Sequence, residues 1–306
     1  MHSPSRRAFL RGRQLAGTSW GQFCQRVQGT VDGKLVTFTV PDGLGLGSLT
    51  IEHAADVPRV LSLCREHGVV LALDGLSMPA RAVGRPTLRL RPGRSLARFK
   101  RLEDHGNLWF VQPGCTLGEL AKAGLSAFSA LPASTTAAAW LADRTLVDFM
   151  PGQTARSGLA HLQLLLPDGD MLTLGPFGHD DARPLDTDRS RQLVSSLFRL
   201  TAGGCARGWL PAAFWPLRYR LDALMAHEQA PINLAHLLLG HGGDLGWVQW
   251  MVIDADTLDA SAGMKSRYST DLVDIEGWAD AANPLDDEIK FLFDPEDLLS
   301  HRGQDI

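Results

Sequence analysis

Few residues in this 306-residue chain combine a type and a spacing suited to chemistry. The densest group is Gly240-His241-Gly242-Gly243-Asp244, an imidazole set among glycines. Histidine exchanges a proton near neutral pH, so His241 is the candidate general base. Arg218 and Arg220 precede it and could supply a cation for a carboxylate. A turn histidine and surface arginines are the plainer readings of the same residues. The four cysteines, Cys24, Cys64, Cys115 and Cys205, stand far apart and form no C-x-x-C pair. They give no support for a zinc site or a redox dithiol, and reduced, mostly buried thiols are expected.

Regular elements must position these groups. Val57, Val60, Leu61 and Cys64 recur at i, i+3, i+4 and i+7, which predicts a helix over Ala54–Gly68 with Asp56 as N-cap. Val69–Leu73 follows as a buried strand, and Asp74-Gly75 turns the chain. Thr87–Arg91 alternates as a half-exposed strand, and Leu108–Val111 reads as another. Thr116 and Glu119 form a T-x-x-E capping box that predicts a helix over Thr116–Ala123. Leu162–Leu166 and Met171–Leu174 read as a hairpin around Pro167-Asp168-Gly169-Asp170. The mixture of short strands and helices predicts an α+β fold.

Composition narrows the class. Hydrophobic residues make up 44% and charged residues 21%, ordinary for a globular protein. A formal net charge of −4 gives no overall basic field for nucleic acid. No apolar run reaches the ~18 residues of a membrane span. Ser5-Arg6-Arg7-Ala8-Phe9-Leu10-Arg11 resembles a twin-arginine export motif, but the polar stretch after it lacks the ~7–15-residue apolar segment of a signal. The expectation is a cytoplasmic protein whose N-terminus is frayed, or docks on a partner.

Taken in order, several segments resemble the FAD-linked oxidases of the p-cresol methylhydroxylase (PCMH) and vanillyl-alcohol oxidase superfamily, nearest the glycolate oxidase and D-lactate dehydrogenase subunits. They are Ala54–Val70, Val111-Gln112-Pro113-Gly114 through Leu120, Leu131-Pro132-Ala133-Ser134, Leu164–Gly169, and Ile289-Lys290 through Asp294-Pro295 to Leu299. The resemblance implies a two-subdomain flavin fold with a cap: an N-terminal segment 1–40, an FAD-binding domain 41–200 and a shortened cap 201–306. It implies FAD as cofactor, held by Asp74, Gly75, Leu76, Ser77, Pro113, Gly114, Pro132, Ala133, Ser134 and Thr135, with His241 as catalytic base toward a small 2-hydroxy acid and no metal.

Departures from the family pattern fall on the same residues. The glycine-rich phosphate loop has become Asp74-Gly75-Leu76-Ser77, and a carboxylate beside a diphosphate is repulsive. The glycines expected after Ser134 are replaced by Thr135-Thr136-Ala137-Ala138-Ala139, which reads equally well as a helix cap. The asparagine and second histidine of the histidine motif have become Gly246 and Val248. Two functions therefore stand: an FAD-dependent oxidoreductase acting on a 2-hydroxy acid, or an inert subunit of the same fold that binds a protein partner.

Overall fold

Leucine-rich alternation along short strands gives this chain two sheets, each with its own apolar core. The computed structural model describes residues 19–40, 43–76, 84–103, 105–177, 185, 187–202, 208, 210–211, 215–225, 232–265 and 275–300, with side chains 264–265 and 275–283 set aside. The N-terminal arginine motif, Ser77 and Cys205 lie outside the described residues.

The first sheet contains β1 (Leu35–Phe38), β2 (Leu46–Ile51), β3 (Val70–Leu73) and β4 (Thr87–Pro92) in the order β1-β2-β4-β3. β1 is antiparallel to β2, while β4 lies parallel to both β2 and β3. Leu49, Ile51, Leu71, Leu73, Leu88 and Leu90 join one core with α1 (Ser19–Thr30) and α2 (Val57–His67). The helix predicted over Ala54–Gly68 forms with one correction. Asp56 makes no side-chain cap; its carboxylate pairs with Arg59 at 2.9 Å instead. Gly68 ends the helix at φ 64°, a left-handed conformation that suits glycine.

The second sheet is antiparallel throughout: β5 (Phe99–Arg101), β6 (Leu108–Val111), β7 (Leu159–Leu165), β8 (Met171–Leu174) and β9 (Trp247–Asp254), ordered β5-β6-β9-β7-β8. The expected strands Leu108–Val111 and Met171–Leu174 are present, and the one expected over Leu162–Leu166 begins earlier, at Leu159. Its core draws on α3 (Leu117–Ala123), α4 (Ala137–Ala142) and α5 (Asp188–Ala202). The capping box at Thr116 and Glu119 is complete. Part of the region expected to form a shortened cap contributes β9, the middle strand of this sheet. The apolar run Trp247–Ile253 finds its partners in β6 and β7 rather than in a separate core.

After α6 (Ile275–Phe293) the chain returns to the first sheet. Leu71 N donates to Leu298 O at 2.8 Å and Ser300 N to Leu71 O at 2.7 Å, so this segment covers the free edge of β3. Asp294 pins it, accepting from Leu298 N at 3.0 Å and Leu299 N at 2.7 Å while Lys290 pairs with the same buried carboxylate. The fold class is α+β, as the sequence predicts. Among the described residues, no helix is long and apolar enough to cross a membrane.

Candidate functional site

A cleft lies where the two sheets meet. Leu165 and Trp247 of the second sheet, with Ala138 and Ala139 of α4, pack into the core under the first sheet. The cleft holds about 510 Å³ of unfilled space, part of it open to solvent. Its walls are Leu71, Leu73 and Leu90 of the first sheet, Leu165 and Trp247 opposite, and Leu299 of the C-terminal segment, with His241 between them.

The glycine run explains how His241 reaches this place. Gly240 N donates to Leu141 O and Gly242 N to Ala142 O, both at 2.8 Å, docking the turn on the end of α4. A side chain at Gly243 would meet Leu73 Cβ at 2.5 Å, and one at Gly242 would meet Arg218 Nη2 at 2.2 Å. Only glycine allows both approaches. His241 is 1% exposed, and among the described residues neither ring nitrogen has a hydrogen-bond partner. Burial pushes its pKa down to about 4; Asp244 opposes this and Arg218 adds to it. The imidazole is therefore neutral at pH 7.

Neither candidate arginine lines the cleft. Arg218 Nη2 pairs with buried Asp244 at 2.7 Å, and its backbone N donates to Asp286 at 2.9 Å. Arg220 is 2% exposed, pairs with Asp222 at 2.7 Å and donates to Phe149 O and Met150 O. Both cations are spent within the protein, so neither faces a substrate carboxylate at His241. Asp286, which the sequence did not single out, is pushed up to about 6 by burial, against the pull of the Arg218 and Tyr219 N–H groups. Trp247 and Leu299 were also missed as cleft residues. Their only sequence signal is apolar character, which does not distinguish a cleft wall from core.

The residues expected to hold FAD fall elsewhere or are engaged. Gly114 packs against Gly93 and Leu96, and Pro113 O accepts from Ala138 N at 3.1 Å. Pro132, Ala133 and Ser134 are exposed, Thr135 is half-buried, and none of the four lines the cleft. Thr136 caps α4, accepting from Ala139 N at 3.2 Å. Ala137 N and Ala138 N donate to Cys115 O and Pro113 O. In the phosphate loop, Asp74 accepts from Ser48 Oγ at 2.9 Å and from Gly75 N at 3.0 Å. Leu76 is 6% exposed, inside the first core. A diphosphate needs free backbone donors and no carboxylate among them. In the phosphate loop the Gly75 N–H is taken by the Asp74 carboxylate, an arrangement that matches a diphosphate poorly. Among the described residues, no cluster of three His, Cys, Asp or Glu could hold a metal.

No family model and no curated protein matches the chain. Among solved structures it is similar to alkyldihydroxyacetonephosphate synthase in two crystal forms. One is 17% identical with a TM-score of 0.39, covering 68% of this chain and 33% of that one. The other is 14% identical with a TM-score of 0.40, covering 69% and 32%. A variant of Physcomitrella patens BBE-like 1 is 10% identical with a TM-score of 0.40, covering 76% and 44%. The chain thus spans less than half the length of each of these proteins.

Proposed function

We propose that this chain is a flavoprotein-fold subunit, of the FAD-linked oxidase type and related to enzymes that oxidise small 2-hydroxy acids, which acts in a protein complex without FAD in its own seam. The observation that carries this reading is the loop at Asp74–Leu76. A carboxylate takes the Gly75 N–H, and Leu76 is buried in the core beside it. Calorimetry with FAD on the parent, Asp74→Gly and Leu76→Gly tests it. No binding by any of the three is expected, with Leu76→Gly losing on the order of 2–5 kcal/mol of stability through its cavity. Micromolar FAD binding by the parent would sink the proposal.

A second reading, an FAD-dependent oxidoreductase acting on a 2-hydroxy acid, is favoured by one observation: the buried imidazole of His241 lines the cleft with both nitrogens unpartnered among the described residues. The visible spectrum of the freshly purified protein separates the two readings. Flavin bands support the oxidoreductase, and a colourless protein supports the subunit. The complex itself is tested by native mass spectrometry of protein isolated from its own host, where a bare monomer would count against it.

A further inference from the structure

Burying a polar atom without a partner is costly, so such atoms beside open space point to something that is bound there. The cleft between the sheets has two such groups on its walls. Both ring nitrogens of His241 and the indole Nε1 of Trp247 are buried and have no partner among the described residues, in side chains of residues 1% and 8% exposed. The rest of the wall named above is leucine and other apolar residues. The nearest charges, Arg218 and Asp244, neutralise each other at 2.7 Å. The geometry points to a binding site in this cleft for a small, neutral, largely apolar molecule carrying a single hydroxyl, held by His241 and Trp247.

Each part of that description has a separate cause. Leucine walls bind in proportion to the apolar area they cover, so the body of the ligand is hydrocarbon. A neutral imidazole has one donor nitrogen and one acceptor nitrogen. A hydroxyl matches whichever of the two faces the cleft, because it donates and accepts, and its oxygen can also accept from the indole N–H. A carboxylate is disfavoured: no unspent cation lines the cleft, and the charge would lose its water. An ammonium is disfavoured for the same reason. The inference rests on the flavin-free reading, and the spectrum that tests that reading is taken before any probe is added.

The test uses the full chain, shown to be flavin-free by its spectrum, with cyclohexanol, cyclohexanecarboxylate and cyclohexylammonium as probes. Cyclohexanol should raise the thermal midpoint in a concentration-dependent way, and the two ions should not. It should also shift the ring-nitrogen resonances of His241 in a 15N-histidine sample. His241→Leu should weaken cyclohexanol binding about three- to tenfold, the loss of one hydrogen bond. Leu299→Trp, which fills the cleft from its edge, should abolish it. If a variant fails to fold, the probe selectivity and the histidine resonances of the parent decide alone. Equal responses to all three probes, no response to any, or histidine resonances unmoved by cyclohexanol would overturn the assignment.

Discussion

His241 and Asp286 sit within one buried polar region, yet they push stability in opposite directions with pH. His241 has a folded pKa of about 4, below its ordinary value. Its contribution is therefore present above the ordinary histidine range near 6.5 and is lost as pH falls toward 4. Asp286 has a folded pKa of about 6, above its ordinary value. Its contribution is present below about 4 and is lost as pH rises through 6. Urea unfolding from pH 4 to 8 should show both. His241→Leu should flatten the fall in stability below pH 6.5, and Asp286→Asn should flatten the loss between pH 4 and 7. Each effect should be on the order of 2–3 kcal/mol. Identical pH profiles for parent and variants would refute the assignment. At this scale His241 stood out in the sequence through its glycine setting, but its environment did not. Residue type does not reveal that Asp244 already pairs with Arg218, or Asp222 with Arg220.

Elements whose signals are local were the most legible. The capping box at Thr116, the left-handed Gly68 and the turn between β7 and β8 each depend on contacts within a few residues. The C-terminal motif was legible as a pattern but not as a mechanism. Asp294 is there to accept from Leu298 N and Leu299 N while Lys290 balances its charge, which holds the segment on the edge of β3. Asp294→Ala leaves Lys290 buried without its partner, so a loss of about 3–5 kcal/mol is expected. Hydrogen exchange should localise it, with the Leu71 and Ser300 amides losing protection before those of β9. Uniform loss across both sheets would show that Asp294 does not act through the segment. Thr116→Ala should cost only about 1 kcal/mol, the usual worth of a helix cap.

At the scale of the whole molecule, the least legible feature was the position of β9. Its apolar run reads as a strand, but nothing in the run names β6 and β7 as neighbours, and pairing across so many residues leaves no local trace. The boundary expected at residue 200 falls between β8 and β9 of one sheet. A chain ending at Leu200 should therefore fail to fold, giving no cooperative thermal transition; a sharp transition would restore the separate cap. The same position of β9 has a consequence in time. Roughly 80 residues separate the end of β7 from the start of β9. At about 5–20 residues per second, the ribosome delivers the middle strand roughly 4–16 s after its neighbour. Throughout that interval the inner edges of β6 and β7 are open, in the state from which strand-mediated aggregation begins. A nascent chain paused before Trp247 should be the species that chaperones hold, and one paused well beyond Asp254 should already be released.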